Sequence, residues 1–169
     1  MEPQPTIVMR MSDNRSHSYY GFAGKPYNPV RISMVMRYEL LEHTADVMVR
    51  CTGDTLAECF ENAAYALSDQ TVDPSCVDRV VEVPIEVTGD DDESRLYNFL
   101  SEVLFIEEAE VFAFSDFKVS IDGDKVSAIG WGEPLDLKRH HPKTEVKAIT
   151  YHMMHVDPSI PELRVVFDI

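Results

Sequence analysis

The sequence contains few cysteines and no long apolar run. Three of its 169 residues are cysteines, Cys51, Cys59 and Cys76, and none belongs to a C-x-x-C motif. This odd, widely spaced set supports neither a disulfide framework nor a zinc knuckle, so we expect buried, reduced thiols. No stretch approaches the roughly 18 consecutive apolar residues of a membrane span, and the N-terminus lacks a basic region followed by an apolar run. We therefore expect an intracellular protein with no membrane-spanning segment.

The common catalytic motifs are missing as well. The sequence has no nucleophile elbow, phosphate-binding loop, dinucleotide fingerprint or H-E-x-x-H motif. The acid-rich stretch 89–93 resembles a calcium loop, but it lacks the D-x-D-x-D-G spacing and the closing glutamate of an EF-hand. Acids near a helix N-terminus suit the helix dipole, so a solvated helix start is the favoured interpretation of this stretch.

Charge is distributed unevenly along the chain. Residues 1–37 contain five bases and two acids, a net charge of +3, whereas residues 38–169 contain 10 bases and 28 acids, a net charge of −18. A surface this negative repels phosphate backbones, which argues against direct binding of RNA or DNA by the body of the protein. The same charge favours basic partners and cations.

The chain divides into two regions of different character. Residues 1–37 mix proline, glycine, serine, asparagine and arginine without apolar periodicity, which predicts a mobile N-terminal extension. Residues 38–169 form one predicted domain with a sizeable core. Pro84 predicts that its strand lies at a sheet edge. The predicted strands span residues 38–42, 47–51, 79–88, 111–121, 126–131, 144–156 and 163–168, and the two helices start near Thr55 and after the acidic stretch 89–93.

This element order, β-β-α-β-α-β-β-β-β, predicts an α+β fold with antiparallel or mixed sheets rather than a doubly wound parallel sheet. Gly130 and Gly132 indicate a bulge or a close backbone approach, and Trp131 between them is interpreted as a core residue in preference to a ligand-stacking one. His152 and His155, three residues apart on one predicted strand, should point to opposite faces and therefore not share a metal ion.

Three anionic groups are candidates for a metal site. Asp46 follows one short strand candidate, and Asp168 lies beside the Ile169 carboxylate at the end of the last strand. Hard oxygen ligands of this kind suit Ca²⁺, Mg²⁺ or Mn²⁺ better than zinc. The alternative is that Asp168 is an ordinary solvated residue at a strand end.

Two further polar segments have functional and structural interpretations. Glu145 and Lys147 should lie side by side on one strand face, either as an exposed ion pair or with the lysine directed at an anion. The stretch 138–143 is the only basic patch of the body, and it is either a phosphate or acidic-partner contact or a solvated loop.

These residues carry a resemblance to the archease family that extends over residues 38–169. The motifs concerned are Glu42-His43-Thr44-Ala45-Asp46, Gly53-Asp54-Thr55-Leu56, Gly130-Trp131-Gly132-Glu133, Thr144 to Thr150, and Phe167-Asp168-Ile169. The resemblance implies a small α+β fold built from strand-helix-strand-strand units. It also implies a non-catalytic activator of the RtcB-type tRNA-splicing ligase, which promotes guanylylation and multiple turnover of that enzyme in tRNA processing and RNA ligation.

The resemblance assigns roles to particular residues. It implies that Asp46, Asp168 and the Ile169 carboxylate bind a divalent metal ion, with Ca²⁺ favoured over Mg²⁺ and Mn²⁺. Lys147 matches a position important for ligase activation, and Glu145 and His43 are included as its neighbours. The implied partner is the ligase or its complex, RNA is contacted only through the ligase, and the expected location is the cytoplasm, with the nucleus as a second site.

Two other functions fit parts of the pattern. A small divalent-metal-dependent hydrolase of phosphates or nucleotides would use a cation-bound water near Asp46 and Lys147. A scaffolding or chaperone-like module would bind partners without requiring Asp46 or a metal.

Overall fold

The computed structural model describes residues 36–41 and 46–169. Most of the predicted extension over residues 1–37 lies outside this part of the chain, so its mobility stays a prediction. The described strands are β1 (Tyr38–Leu41), β2 (Val47–Thr52), β3 (Val81–Thr88), β4 (Phe112–Asp122), β5 (Lys125–Pro134), β6 (Ala148–Asp157) and β7 (Glu162–Asp168). The helices are α1 (Leu56–Thr71) and α2 (Asp92–Ala109), with a short 3₁₀ turn at Pro74–Cys76.

The described strands form two antiparallel sheets, which confirms the predicted α+β fold. The first sheet has the order β1-β2-β7-β6, and the second has the order β3-β5-β4. One strand-helix-strand-strand unit consists of β3, α2, β4 and β5. A second unit consists of β2, α1, β6 and β7, and the first unit lies between α1 and β6 in the sequence. Both units place their last strand between the other two. β3 is an edge strand, as Pro84 predicted.

Both helices begin at an N-cap residue that the sequence predicts. Each helix buries the face on which the apolar residues recur at helical spacing. The Thr55 hydroxyl accepts a hydrogen bond from the Glu58 amide at 3.1 Å, and Asp91 and Ser94 form a reciprocal capping box at the start of α2. The acid-rich stretch is therefore a helix start, as predicted. α1 contacts β4 of one sheet and β2 of the other, and α2 contacts β3 and β6, so the helices join the two sheets through one core.

Gly132 permits the backbone of β5 to approach β4 at a bulge. Phe114 pairs with Gly132 and Asp116 with Trp131, so Ser115 is the additional residue on β4. A Cβ on Gly132 would lie 2.0 Å from the Ala113 carbonyl oxygen. The predicted close approach is thus confirmed, and it explains why the position requires glycine.

Trp131 does not join the core, so that prediction is wrong. Its ring lies on the opposite face of β5 from the two buried glycines and is half-exposed. The indole Nε1 donates to Glu82 Oε1 at 3.0 Å, and the Arg79 guanidinium lies 5.2 Å from the ring centroid. Cys76 likewise departs from expectation, because it is exposed while Cys51 and Cys59 are buried.

β6 differs most from its prediction. It begins at Ala148 and not at residue 144, and its pairing with β7 is irregular between Thr150 and His155. Met153 has a φ of 57° within this irregular stretch. Regular alternation of faces therefore does not hold between His152 and His155, so their spacing does not place the two side chains on opposite faces.

Replacing Gly132 with alanine should destabilise the protein strongly, because the new methyl group would displace the Ala113 backbone. We expect a loss of about 2–3 kcal/mol in the free energy of unfolding, measured by urea denaturation. Ser127→Ala, on the half-exposed face of β5, is the matched control and should change stability little. Equal stability of Gly132→Ala and wild type would contradict the close approach.

Candidate functional site

The pairing of β2 with β7 brings two aspartates to one end of the first sheet. Val47 pairs with Phe167 in this antiparallel ladder. Asp46 directly precedes Val47, and Asp168 directly follows Phe167, so both leave the same end of neighbouring strands. Phe167 is fully buried against the helices, and strand alternation turns Asp168 to the other face, where it is exposed. Asp46 is half-buried.

Lys147, in the segment before β6, forms two hydrogen bonds with the end of the chain after Phe167. Its amide donates to the Asp168 carbonyl oxygen at 2.8 Å, and its Nζ donates to the Ile169 main-chain oxygen at 2.9 Å. The lysine side chain is exposed. The structure thus brings together four of the six predicted residues, Asp46, Lys147, Asp168 and Ile169, at one end of the sheet.

The donor chemistry at this end fits a hard divalent cation. Two aspartate carboxylates and the Ile169 oxygen are hard oxygen donors of the kind that such a cation prefers. Within residues 36–41 and 46–169, no group of three or more His, Cys, Asp or Glu side chains could hold a metal ion. In the predicted set of ligands, Ile169 is the third contributor beside Asp46 and Asp168, and metal binding by this set stays a prediction.

Comparison with known proteins shows the family to which the chain belongs. A model of the Archease protein family matches residues 38–169. Proteins named protein archease are similar to the chain, with 47% identity in Pyrococcus abyssi (76% of this chain and 92% of that protein) and 41% in Danio rerio (79% and 85%). The chain belongs to the archease family.

A solved structure supports the same assignment. The solution structure of protein 1598 from Methanobacterium thermoautotrophicum superposes with a TM-score of 0.68 at 35% sequence identity, covering 79% of this chain and 99% of that one. In the described part of this archease-family chain, no helix is both long and apolar enough to cross a membrane.

The structure describes one of the two remaining predicted residues, Glu145, and not the other, His43. Glu145 is exposed and precedes β6, and among the described residues it forms no ion pair with Lys147. Val146 between them is buried, with 2% of its surface exposed. His43 lies outside the described residues, so its role stays a prediction.

Two bases of the basic stretch 138–143, Arg139 and Lys143, are held in internal ion pairs. Arg139 contacts Asp78 at 3.1 Å and also pairs with Glu133, and Lys143 contacts Asp69 at 2.6 Å. His140 is buried, with 1% of its surface exposed, and its Nδ1 accepts from the Asp136 amide at 3.0 Å. Burial lowers the pKa of His140, and the neighbouring Arg139 lowers it further.

Sequence reasoning missed a buried carboxyl group, Glu107 on α2. Its Oε1 accepts a hydrogen bond from the Ser68 hydroxyl at 2.6 Å, and its Oε2 accepts a longer one of 3.4 Å from Thr71. Burial raises the pKa of Glu107 to about 7, against an ordinary value of 4.5, although both hydroxyls oppose the shift. The spacing of Glu107 is the signal that could have indicated its burial. It lies four residues after Val103 and three after Leu104, so it continues their apolar stripe along α2.

Glu107→Gln should make stability less dependent on pH. Between pH 4.5 and about 7 the folded protein keeps a proton on Glu107 that the unfolded chain has lost, so the free energy of unfolding falls as pH rises through this window. Glutamine removes this penalty and preserves the acceptor for Ser68. We expect the variant to be more stable than wild type by up to about 3 kcal/mol at pH 8 and by little at pH 4.5.

The measurement is urea denaturation at a series of pH values. Glu110→Gln, an exposed residue at the end of the same helix, should follow the wild-type profile. Parallel profiles for Glu107→Gln and wild type would show that Glu107 does not titrate differently in the folded state.

Proposed function

We propose that this archease-family protein is a non-catalytic activator of an RtcB-type RNA ligase in tRNA splicing. In this proposal Asp46, Asp168 and the Ile169 carboxylate hold a divalent cation, with Ca²⁺ favoured. The observation that carries the proposal is the β2–β7 register, because it brings both aspartates to the same end of the sheet as Ile169. When bound, the cation would supply positive charge for phosphate oxygens at the guanylylation site of the ligase.

Lys147 has a positioning role in this proposal. Its ammonium group donates to the Ile169 oxygen at 2.9 Å, which fixes the direction of that main-chain group. The hydrogen bond from its main-chain amide to the Asp168 carbonyl oxygen extends the β6–β7 ladder by one residue and keeps the end of β7 from fraying. Loss of the Lys147 side chain would therefore disturb the carboxylate geometry and remove a cation from the exposed end of the sheet.

The charge of the domain supports docking to a basic surface. Residues 38–169 carry a net charge of −18, which complements a cleft that binds RNA backbones and disfavours direct RNA contact. We therefore propose that the protein reaches RNA only through the ligase. Glu145 is proposed to lie on the docking surface beside Lys147, and His43 is proposed to contribute to ligase activation.

Neutralising either aspartate should weaken metal binding and reduce ligase activation. We expect Asp46→Asn and Asp168→Asn to weaken Ca²⁺ binding more than tenfold, because each variant removes one of three anionic ligands. Isothermal titration with Ca²⁺ and a multiple-turnover RNA ligation assay measure the two effects. Asp122→Asn, an exposed residue at the end of β4 in the other sheet, is the matched control.

Two outcomes would contradict this proposal. Full ligase activation by both variants would exclude a role for the carboxylates. Hydrolysis of nucleotides or cyclic phosphates by the protein alone, with metal and without ligase, would contradict a non-catalytic function.

Adding one glycine after Ile169 should reproduce the loss of activation without unfolding the protein. The extension converts the Ile169 carboxylate into a neutral peptide carbonyl and moves the negative charge outward. The Lys147 bond to the Ile169 oxygen can persist, so we expect unchanged thermal stability together with at least tenfold weaker Ca²⁺ binding. Ile169→Val, which keeps the carboxylate in place, should bind Ca²⁺ normally. Normal binding by the extended chain would exclude the carboxylate as a ligand.

A further inference from the structure

A cavity separate from the carboxylate end lies beside the C-terminal halves of the two helices. It has a volume of about 250 Å³. Pro142, Lys143, Thr144 and Glu145 line it and are exposed, so the cavity opens to the surface on this side. This volume falls below the roughly 300–1,000 Å³ of small-molecule pockets and suits a single long side chain.

The cavity combines apolar walls with one deeply buried acid. Its apolar lining comprises Val72, Leu104, Phe112, Leu135 and Val146. Glu107 also lines it and exposes only 8% of its surface. Among the described residues no lysine, arginine or histidine forms an ion pair with Glu107. Lys143 belongs to the lining, but its ammonium donates to the carboxylate and carbonyl oxygens of Asp69.

The hydrogen bonds of Glu107 leave its Oε2 the less satisfied of its two oxygens. Oε1 accepts the short bond of 2.6 Å from Ser68, whereas Oε2 has the 3.4 Å contact with Thr71. A carboxylate oxygen can accept two hydrogen bonds, so Oε2 can accept a strong one from a further donor. One weakly bonded oxygen suits the ammonium of lysine, which binds as a point charge, because the guanidinium of arginine favours two oxygens at once.

We propose that this cavity binds a lysine side chain presented by a partner protein. The methylene stem of the lysine packs against the apolar walls, and its ammonium group donates to Oε2 of Glu107. Two exposed acids, Glu108 and Glu145, line the opening and attract the incoming cation. This site goes beyond the proposed ligase activation, and it does not require the carboxylates of Asp46 or Asp168.

Binding should be pH dependent, because the ammonium group requires an ionised Glu107. The charged groups that face the cavity are Glu108 on α2 and Lys143 and Glu145 on the segment before β6, while α1 contributes only hydroxyl groups. Glu107 itself has a pKa that is raised to about 7. Affinity for an ammonium ligand is therefore expected to be about tenfold higher at pH 8 than at pH 6.

The test is an NMR titration of the full chain with Nα-acetyl-lysine N-methylamide as the probe. We expect shifts of the Val72, Leu104 and Val146 amide signals at pH 8, and binding at least tenfold weaker in Glu107→Gln. Glu110→Gln is the matched control and should bind the probe as wild type does. Nα-acetyl-norleucine N-methylamide has the same stem without the ammonium group and should bind at least tenfold more weakly to wild type.

Any of three results would overturn the proposal: no shift of the cavity signals up to the solubility limit of the probe, equal affinity of wild type and Glu107→Gln, or equal affinity for the norleucine compound. The norleucine comparison needs no variant, so it decides the question even if Glu107→Gln folds poorly. Asp168→Asn should bind the lysine probe normally, which separates a failure of this cavity from a failure of the carboxylate site.

Discussion

The antiparallel pairing of β2 with β7 is the contact on which the first sheet and the candidate site both depend. It joins segments more than 100 residues apart in sequence and places Val49, Cys51, Leu163, Val165 and Phe167 in the core with no exposed surface. A shift of one residue would turn these side chains to the other face of the sheet, away from the helices, so the core fixes the register. The same register fixes the positions of Asp46 and Asp168, because each adjoins a paired residue. Burial of apolar side chains thus positions the polar groups of the candidate site.

Local patterns predicted the helices and most of the strands because their causes are local. Thr55 and Asp91 each cap a helix within three residues, and the apolar stripes that follow have the helical period. Pro84 predicted an edge strand because it lacks an amide donor. The predicted β6 is too long, because the residue at which this strand begins depends on its pairing with β7 and not on its own sequence. The ladder with β7 begins at the Ala148–Asp168 pair, and no local residue pattern marks that point.

Side-chain environments were harder to predict than elements. Trp131 was assigned to the core on its residue type, yet alternation along β5 puts the buried glycines on the inner face and the indole on the outer one. Glu107 was overlooked because glutamate is rarely buried. Its burial becomes understandable only when Ser68 and Thr71 of α1 are seen to donate to it. The aspartates of the candidate site were found through residue chemistry and family resemblance, whereas their common position at one sheet end required the register.

The cavity and the carboxylate end share one stretch of backbone, residues 142–147. Its first part is held on α1, where the Lys143 amide donates to Thr71 and the Thr144 amide donates to Gln70. Its last part is held on β7, where the Lys147 amide donates to Asp168. Val146, buried between these anchors, forms part of the cavity wall. Because the stretch is fixed at both ends and in the middle, a side chain that fills the cavity packs directly against the residue that precedes Lys147. The two candidate sites are therefore connected by packing and hydrogen bonds, and a partner that covers both would find their relative positions already set by the fold.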